Sequence, residues 1–139
     1  MAILDDLASY IDTNSTAFAL NTNLGKSINL DAGSIPNTFT SLYETPGLNS
    51  EMAFSTGGAE RVFDRPRVQV LCRSTSYATA RARAQTIYDL LDGLGNQGLP
   101  TSTGTVYLSV VAVQPPFSLG RDSNDRWLVA TNYQCERDR

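Results

Sequence analysis

Arg65-Pro-Arg-Val-Gln-Val-Leu-Cys-Arg-Ser-Thr-Ser-Tyr-Ala-Thr-Ala-Arg-Ala-Arg-Ala-Gln-Thr-Ile-Tyr-Asp-Leu-Leu-Asp-Gly-Leu94 is one strand running straight into one amphipathic helix. From Arg67 to Arg73 the chain alternates: Val68, Val70 and Cys72 take one face and Arg67, Gln69, Leu71 and Arg73 the other. Pro66 suits the first position of a strand. Ser74 or Ser76 can cap the helix that follows, in which Tyr77, Ala80, Ala84, Ile87, Leu91 and Leu94 trace one face. The alanines let that face lie close to a sheet, and Gly93 or Gly95 ends the helix.

Working back from there, Ala2 to about Asn14 predicts a first helix, with Ile3, Leu4, Leu7, Tyr10 and Ile11 on one stripe and Asp5 and Asp6 in its first turn, where acids suit the helix dipole. Leu24-Gly-Lys-Ser27 suggests a phosphate loop, but the glycine the motif requires five residues before Gly25 is Leu20. Ile28 to Leu30 read as a short strand, and Thr38 to Glu44 as a longer one. Thr45 to Arg61 holds Pro46, Gly47, Gly57 and Gly58 without clear periodicity and reads as a long loop. It carries Leu48, Met52 and Phe54, which would bury against a neighbouring subunit or fold back on the chain's own core.

Working forward, Gly95 to Gly104 is a polar turn region and Thr105 to Val113 a strongly β-prone run. Gln114 to Arg126 reads as a loop: Pro115-Pro116 rejects continued pairing, and Asp122-Ser-Asn-Asp125 is turn chemistry. Trp127 to Cys135 alternates again and should pair antiparallel with the preceding strand, before a charged tail, Glu136-Arg-Asp-Arg139. The sum is α-β-β-β-α-β-β, a single α+β domain over residues 1–139 with two helices on one face of a mainly antiparallel sheet.

Composition narrows function. With no histidine, the commonest general base and metal ligand are missing, and Lys26 is the only lysine. Cys72 and Cys135 fall inside predicted strands and read as small core hydrophobes. Asp122, Asn124 and Asp125 could approach a divalent ion, but the rest of a calcium loop is missing and an Asx-rich turn explains them better. The ten arginines are scattered over strand, helix and loop instead of gathering with aromatics on one element, which argues against a nucleic-acid binder. No enzyme, cofactor or metal is expected. No apolar run nears the ~18 residues of a membrane span, and the N-terminus lacks the basic and apolar regions of a secretory signal. Charge is uneven: residues 1–60 carry seven acids and one base, whereas residues 61–139 carry seven acids and ten arginines. Copies meeting acidic side to basic side would associate head to tail, a geometry that closes into a ring or opens into a filament.

In order along the chain, the opening helix, Tyr43-Glu-Thr-Pro-Gly-Leu48, Arg65 to Tyr77, the alanine-rich helix ending Leu90-Leu-Asp-Gly-Leu94, and Pro116-Phe-Ser-Leu-Gly-Arg-Asp-Ser-Asn-Asp-Arg-Trp127 resemble the tail terminator (minor capsid, head–tail completion) proteins of tailed bacteriophages. Pro116, Leu119, Gly120, Arg121, Asp122 and Arg126 match that pattern in the second patch, and Pro66, Val68, Gln69, Val70 and Arg73 in the strand. Cys72 and Trp127 depart from it. The resemblance implies a structural virion protein of the tail and neck, assembled in the host cytoplasm. It implies a homohexameric ring that caps the tail tube and ends its growth. The partners would be the tail tube protein, a neck or head-completion protein and, in a contractile tail, the sheath, with viral DNA passing through the lumen unbound. The alternative is another neck (head-closure or connector) or tube-like structural protein. Arginines and aromatics are favoured at protein interfaces, so Met52, Phe54, Phe117, Arg121, Asp122 and Arg126 are the candidate contact residues.

Overall fold

The computed structural model describes residues 2–55 and 58–138, with the side chains of 51–62 outside the description. In chain order the elements are α1 (Ile3–Asn14), β1 (Leu24–Lys26), β2 (Phe39–Ser55), β3 (Gly58–Ser74), α2 (Tyr77–Leu91), β4 (Leu94–Leu99), β5 (Thr105–Ala112), β6 (Phe117–Arg121) and β7 (Trp127–Asp138). The strands form one sheet in the order β1-β2-β3-β7-β5-β4. All pairs are antiparallel except β1 with β2.

Four elements keep the periodicity the sequence shows. On β3, Val68, Val70 and Cys72 are buried beneath the helices. On β7, Val129, Thr131, Tyr133 and Cys135 share that buried face. In α2, Ser76 caps the first turn by accepting from Thr79 N at 3.3 Å. Ala80 and Ala84 bring the helix axis down onto the sheet, Ile87 and Leu91 fill the space beyond, and Gly93 at φ +89° ends the element. In α1, Ile3, Leu4, Leu7, Ala8 and Ile11 join the same cluster, so both helices feed one core. Both cysteines are buried free thiols within it.

Four expectations are corrected. Residues 45–61 do not form a long loop: β2 continues to Ser55 and pairs with β3 as a long hairpin. The alternation fails there because register shifts between Thr45 and Leu48, Leu48 and Glu51, and Glu51 and Met52 break the period of two. A Cβ at Gly47 would lie 2.5 Å from Arg65 O, so the close approach at the first irregularity needs glycine. Ile28 to Leu30 are not a strand; Leu24–Lys26 pairs with β2 instead. The polar region after α2 contains β4, irregular at Asn96 (φ +49°). Within residues 114–126, the chain re-pairs as β6 after Pro115-Pro116 interrupts it. β5 pairs with β7 over Arg137 to Tyr133 and β6 over Ala130 to Trp127, so the two lie in series along the edge of β7 that β3 leaves free.

Candidate functional site

The second arginine-rich patch folds into a flank built from β6, the turn after it, the start of β7 and the first turn of α2. The Arg81 guanidinium donates to Pro116 O and so fastens α2 to the start of β6. Phe117 sits opposite Ala130, half-buried, while Leu119 is 52 % exposed. A register shift between Ser118 and Gly120, with Gly120 at φ +90°, turns the end of the strand. Arg121 then lies opposite Trp127, its guanidinium 5.1 Å from the indole centroid. Trp127 meets the ring of Tyr77 edge-on at 5.2 Å. A ladder of cation, indole and phenol thus runs from β6 to the N-terminus of α2.

The turn itself is self-contained. Asp122 Oδ1 accepts from Asn124 N at 2.9 Å and Arg126 N at 3.0 Å, and Oδ2 accepts from Arg126 Nε at 2.8 Å. Burial raises the Asp122 carboxyl, but those backbone donors and the guanidinium outweigh it and hold the group below its ordinary value. Arg126 is only 8 % exposed. Asp122 and Arg126 therefore shape the turn, and Arg121 is the member of the trio that faces solvent, with a loose 3.7 Å pair to Asp125. Both Asp122 oxygens are occupied by the chain's own donors, and no metal-ligating cluster is found among the described residues. Met52 and Phe54 lie on β2 in register with Arg61 and Ala59; their side chains are outside the described residues.

Three arginine and carboxylate clusters escape sequence reading. Arg73, fully buried, donates to Leu30 O, Pro36 O and Asn37 O, clamping residues 30–37 against the end of the sheet. Burial, and secondarily Arg126, lower its guanidinium from the ordinary value. The segment is tied further by Ser27 N to Leu42 O and by the Tyr43 hydroxyl to Ile28 O at 2.6 Å. Arg83 on α2 donates to Thr40 Oγ1, Ala17 O and Asn23 O and lies 4.3 Å over the Phe18 ring, fixing the chain between α1 and β1. Asp6, fully buried in α1, accepts from the Tyr107 hydroxyl at 2.7 Å, with Arg137 at 3.7 Å. One signal for the first two was available: with ten arginines to one lysine, the chain favours a planar fork that can serve several carbonyls at once.

A family profile described as bacteriophage tail terminator protein matches residues 31–139. The chain belongs to the bacteriophage tail terminator family. The matched span takes in Arg73, two of its three carbonyl partners and the whole β6 flank of this terminator chain. Among solved structures it is similar in fold to a chain of the "Virion of native gene transfer agent (GTA) particle", with a TM-score of 0.69, 16 % identity, and coverage of 99 % of this chain and 96 % of that one. Comparison with curated proteins gives no match. The terminator chain is accordingly a structural virion component of the tail and neck, not an enzyme. None of its helices is long and apolar enough to cross a membrane among the described residues.

Proposed function

We propose that the chain assembles into a ring, a homohexamer, that caps the tail tube, stops its elongation and joins the tail to the head side of the neck, with viral DNA passing through the lumen. The observation that carries this reading is the terminator family match across most of the chain. The uneven charge and the solvent-facing ladder of Arg121, Trp127 and Tyr77 support association between copies. Its partners are further copies of itself, the tail tube protein and a neck or head-completion protein, with the sheath added in a contractile tail. Of the candidate contact residues, Phe117 and Arg121 would act through the β6 flank and Met52 and Phe54 through the hairpin, while Asp122 and Arg126 would hold the flank in shape. The net charge of −3 suits a lumen that releases DNA, because dense phosphate contacts would oppose its passage.

The test is tube growth. Purified chain added to polymerising tail tube protein should fix tube length and appear as a ring with a central hole at tube ends by negative-stain imaging. Binding to portal-side neck assemblies, with tubes growing on unchecked, would overturn the capping role in favour of a head-closure protein.

A further inference from the structure

Among the strand edges without a partner in the described residues, which include the outer edge of β4, two face away from each other. On one side β1 covers β2 only from Thr40 to Leu42, so the edge is bare from Tyr43 onward, and the first exposed acid there is Glu44. On the other side β6 pairs with β7 alone, and among the described residues its outer edge carries no strand. Between the flanks lie β3 and β7, so the two edges stand roughly 14 Å apart across four strands at ordinary spacing.

The flanks differ in charge and in surface character. At β6, the Arg121 side chain is 55 % exposed, its partner Asp125 is 87 % exposed, and a pair that open to water contributes little. Tyr77 and Leu119 are 43 % and 52 % exposed beside it. The first turn of α2 contains no acid, so its positive end adds to the field of Arg121. Arginine, tryptophan and tyrosine stand together here, the side chains found where binding energy concentrates. At β2, Glu44 is exposed and makes no ion pair among the described residues. The only base in residues 1–60, Lys26, is already bound to Asp5 at 2.5 Å. Among the described residues no cation stands within ion-pair distance of that acid.

We propose that the Arg121–Trp127–Tyr77 flank of one copy receives the Glu44 flank of β2 from a second copy. The contact is head to tail: each copy offers a different flank, so every added copy leaves one of each kind open until the circle closes. This rests on the ring reading and gives it a specific seam. Charge sets the register of approach, and Trp127 with Leu119 supplies apolar area once water is expelled.

The experiment is a charge swap in the full chain, reading association by light scattering and native mass across a concentration series. Arg121→Glu and Glu44→Arg should each weaken association at least about tenfold, because each sets like charges face to face. The double variant should regain most of the loss, and wild-type association should fall as salt rises. Circular dichroism melts identify any variant that has lost its fold, and Arg121→Gln, which removes charge without reversing it, should fall between wild type and Arg121→Glu. Wild-type assembly with folded single reversals that associate normally, or a double variant no better than the singles, overturns the seam and leaves the ring reading standing. A wild-type chain that stays monomeric at every concentration and on tube ends overturns both.

Discussion

Replacing Arg73 with methionine keeps the apolar stem and removes the guanidinium that donates to Leu30 O, Pro36 O and Asn37 O. A hydrogen bond from a charged donor contributes about 1.5–3 kcal/mol net, so three set an upper bound of roughly 4.5–9 kcal/mol. Two effects reduce it. Asn29, Asp31 to Ser34, Pro36 and Asn37 are exposed, so the segment can lift and return its carbonyls to water. Removing the cation also ends its burial cost and its repulsion from Arg126. The expected loss is about 3 kcal/mol, or roughly 10 °C in melting temperature for a chain of this size. Lysine, a point charge without the fork, should recover less than half of it. Trp127 is the only tryptophan and lies in register with Ser74, next to the clamp, so its fluorescence in urea reports the transition. Hydrogen exchange at amides 28–38 reports the segment separately. A loss under about 1 kcal/mol with unchanged exchange at those amides would refute the clamp.

Tyr107→Phe removes the hydroxyl that Asp6 accepts from and leaves a buried carboxylate short of a donor; a loss of about 1.5–3 kcal/mol in urea unfolding is expected, and a neutral result would mean Arg137 alone satisfies Asp6. Asp122 is depressed in the folded state, so its stabilisation is present above its unfolded value of 3.8 and lost as pH falls through the lower folded one. Urea midpoints between pH 6 and 2 should therefore drop below about pH 4, less steeply in Asp122→Ala, and equal slopes would exclude the turn as a source of acid sensitivity. Burial pushes the Cys72 thiol up to about 11 and Cys135 up to about 12, so at pH 8 neither should react with a thiol reagent until the chain unfolds. Rapid labelling of folded protein would place one of them at the surface.

The elements legible in the sequence are those in which one face is buried along the whole length. β3 from Arg67 and β7 alternate because helices cover one side throughout, and α2 declares itself through Ala80, Ala84, Ile87 and Leu91. The hairpin beyond Thr45 was illegible because three register shifts erase its period, and Pro46 with Gly47 reads as loop chemistry. β6 was hidden because the prolines that stop β5 do not prevent a second attempt at pairing further along β7. The site was half legible. The composition of residues 115–127 offers candidate contact residues, and the structure separates Arg121, which faces outward, from Asp122 and Arg126, which face each other. Arg73 could not be singled out: by alternation it takes the polar face, and its burial comes from a segment 36 to 43 positions earlier folding over it.

The position of β7 has a consequence for how the chain can come to its final form. The last described strand in sequence lies between β3 on one side and β5 and β6 on the other, so it is the central plank of the sheet. Until it enters, the hairpin with its helix and the β4–β5 pair have no shared hydrogen-bonded seam. Pairing of β7 with β3 spans more than fifty residues of sequence and carries the loop-closure cost of such a contact. A nascent chain interrupted before Trp127 would be left with two unfinished halves, each with a bare strand edge, and without the indole of the ladder. A chain truncated before Trp127 should therefore show no cooperative urea transition, and a sharp one would mean that the two halves hold together without their central strand.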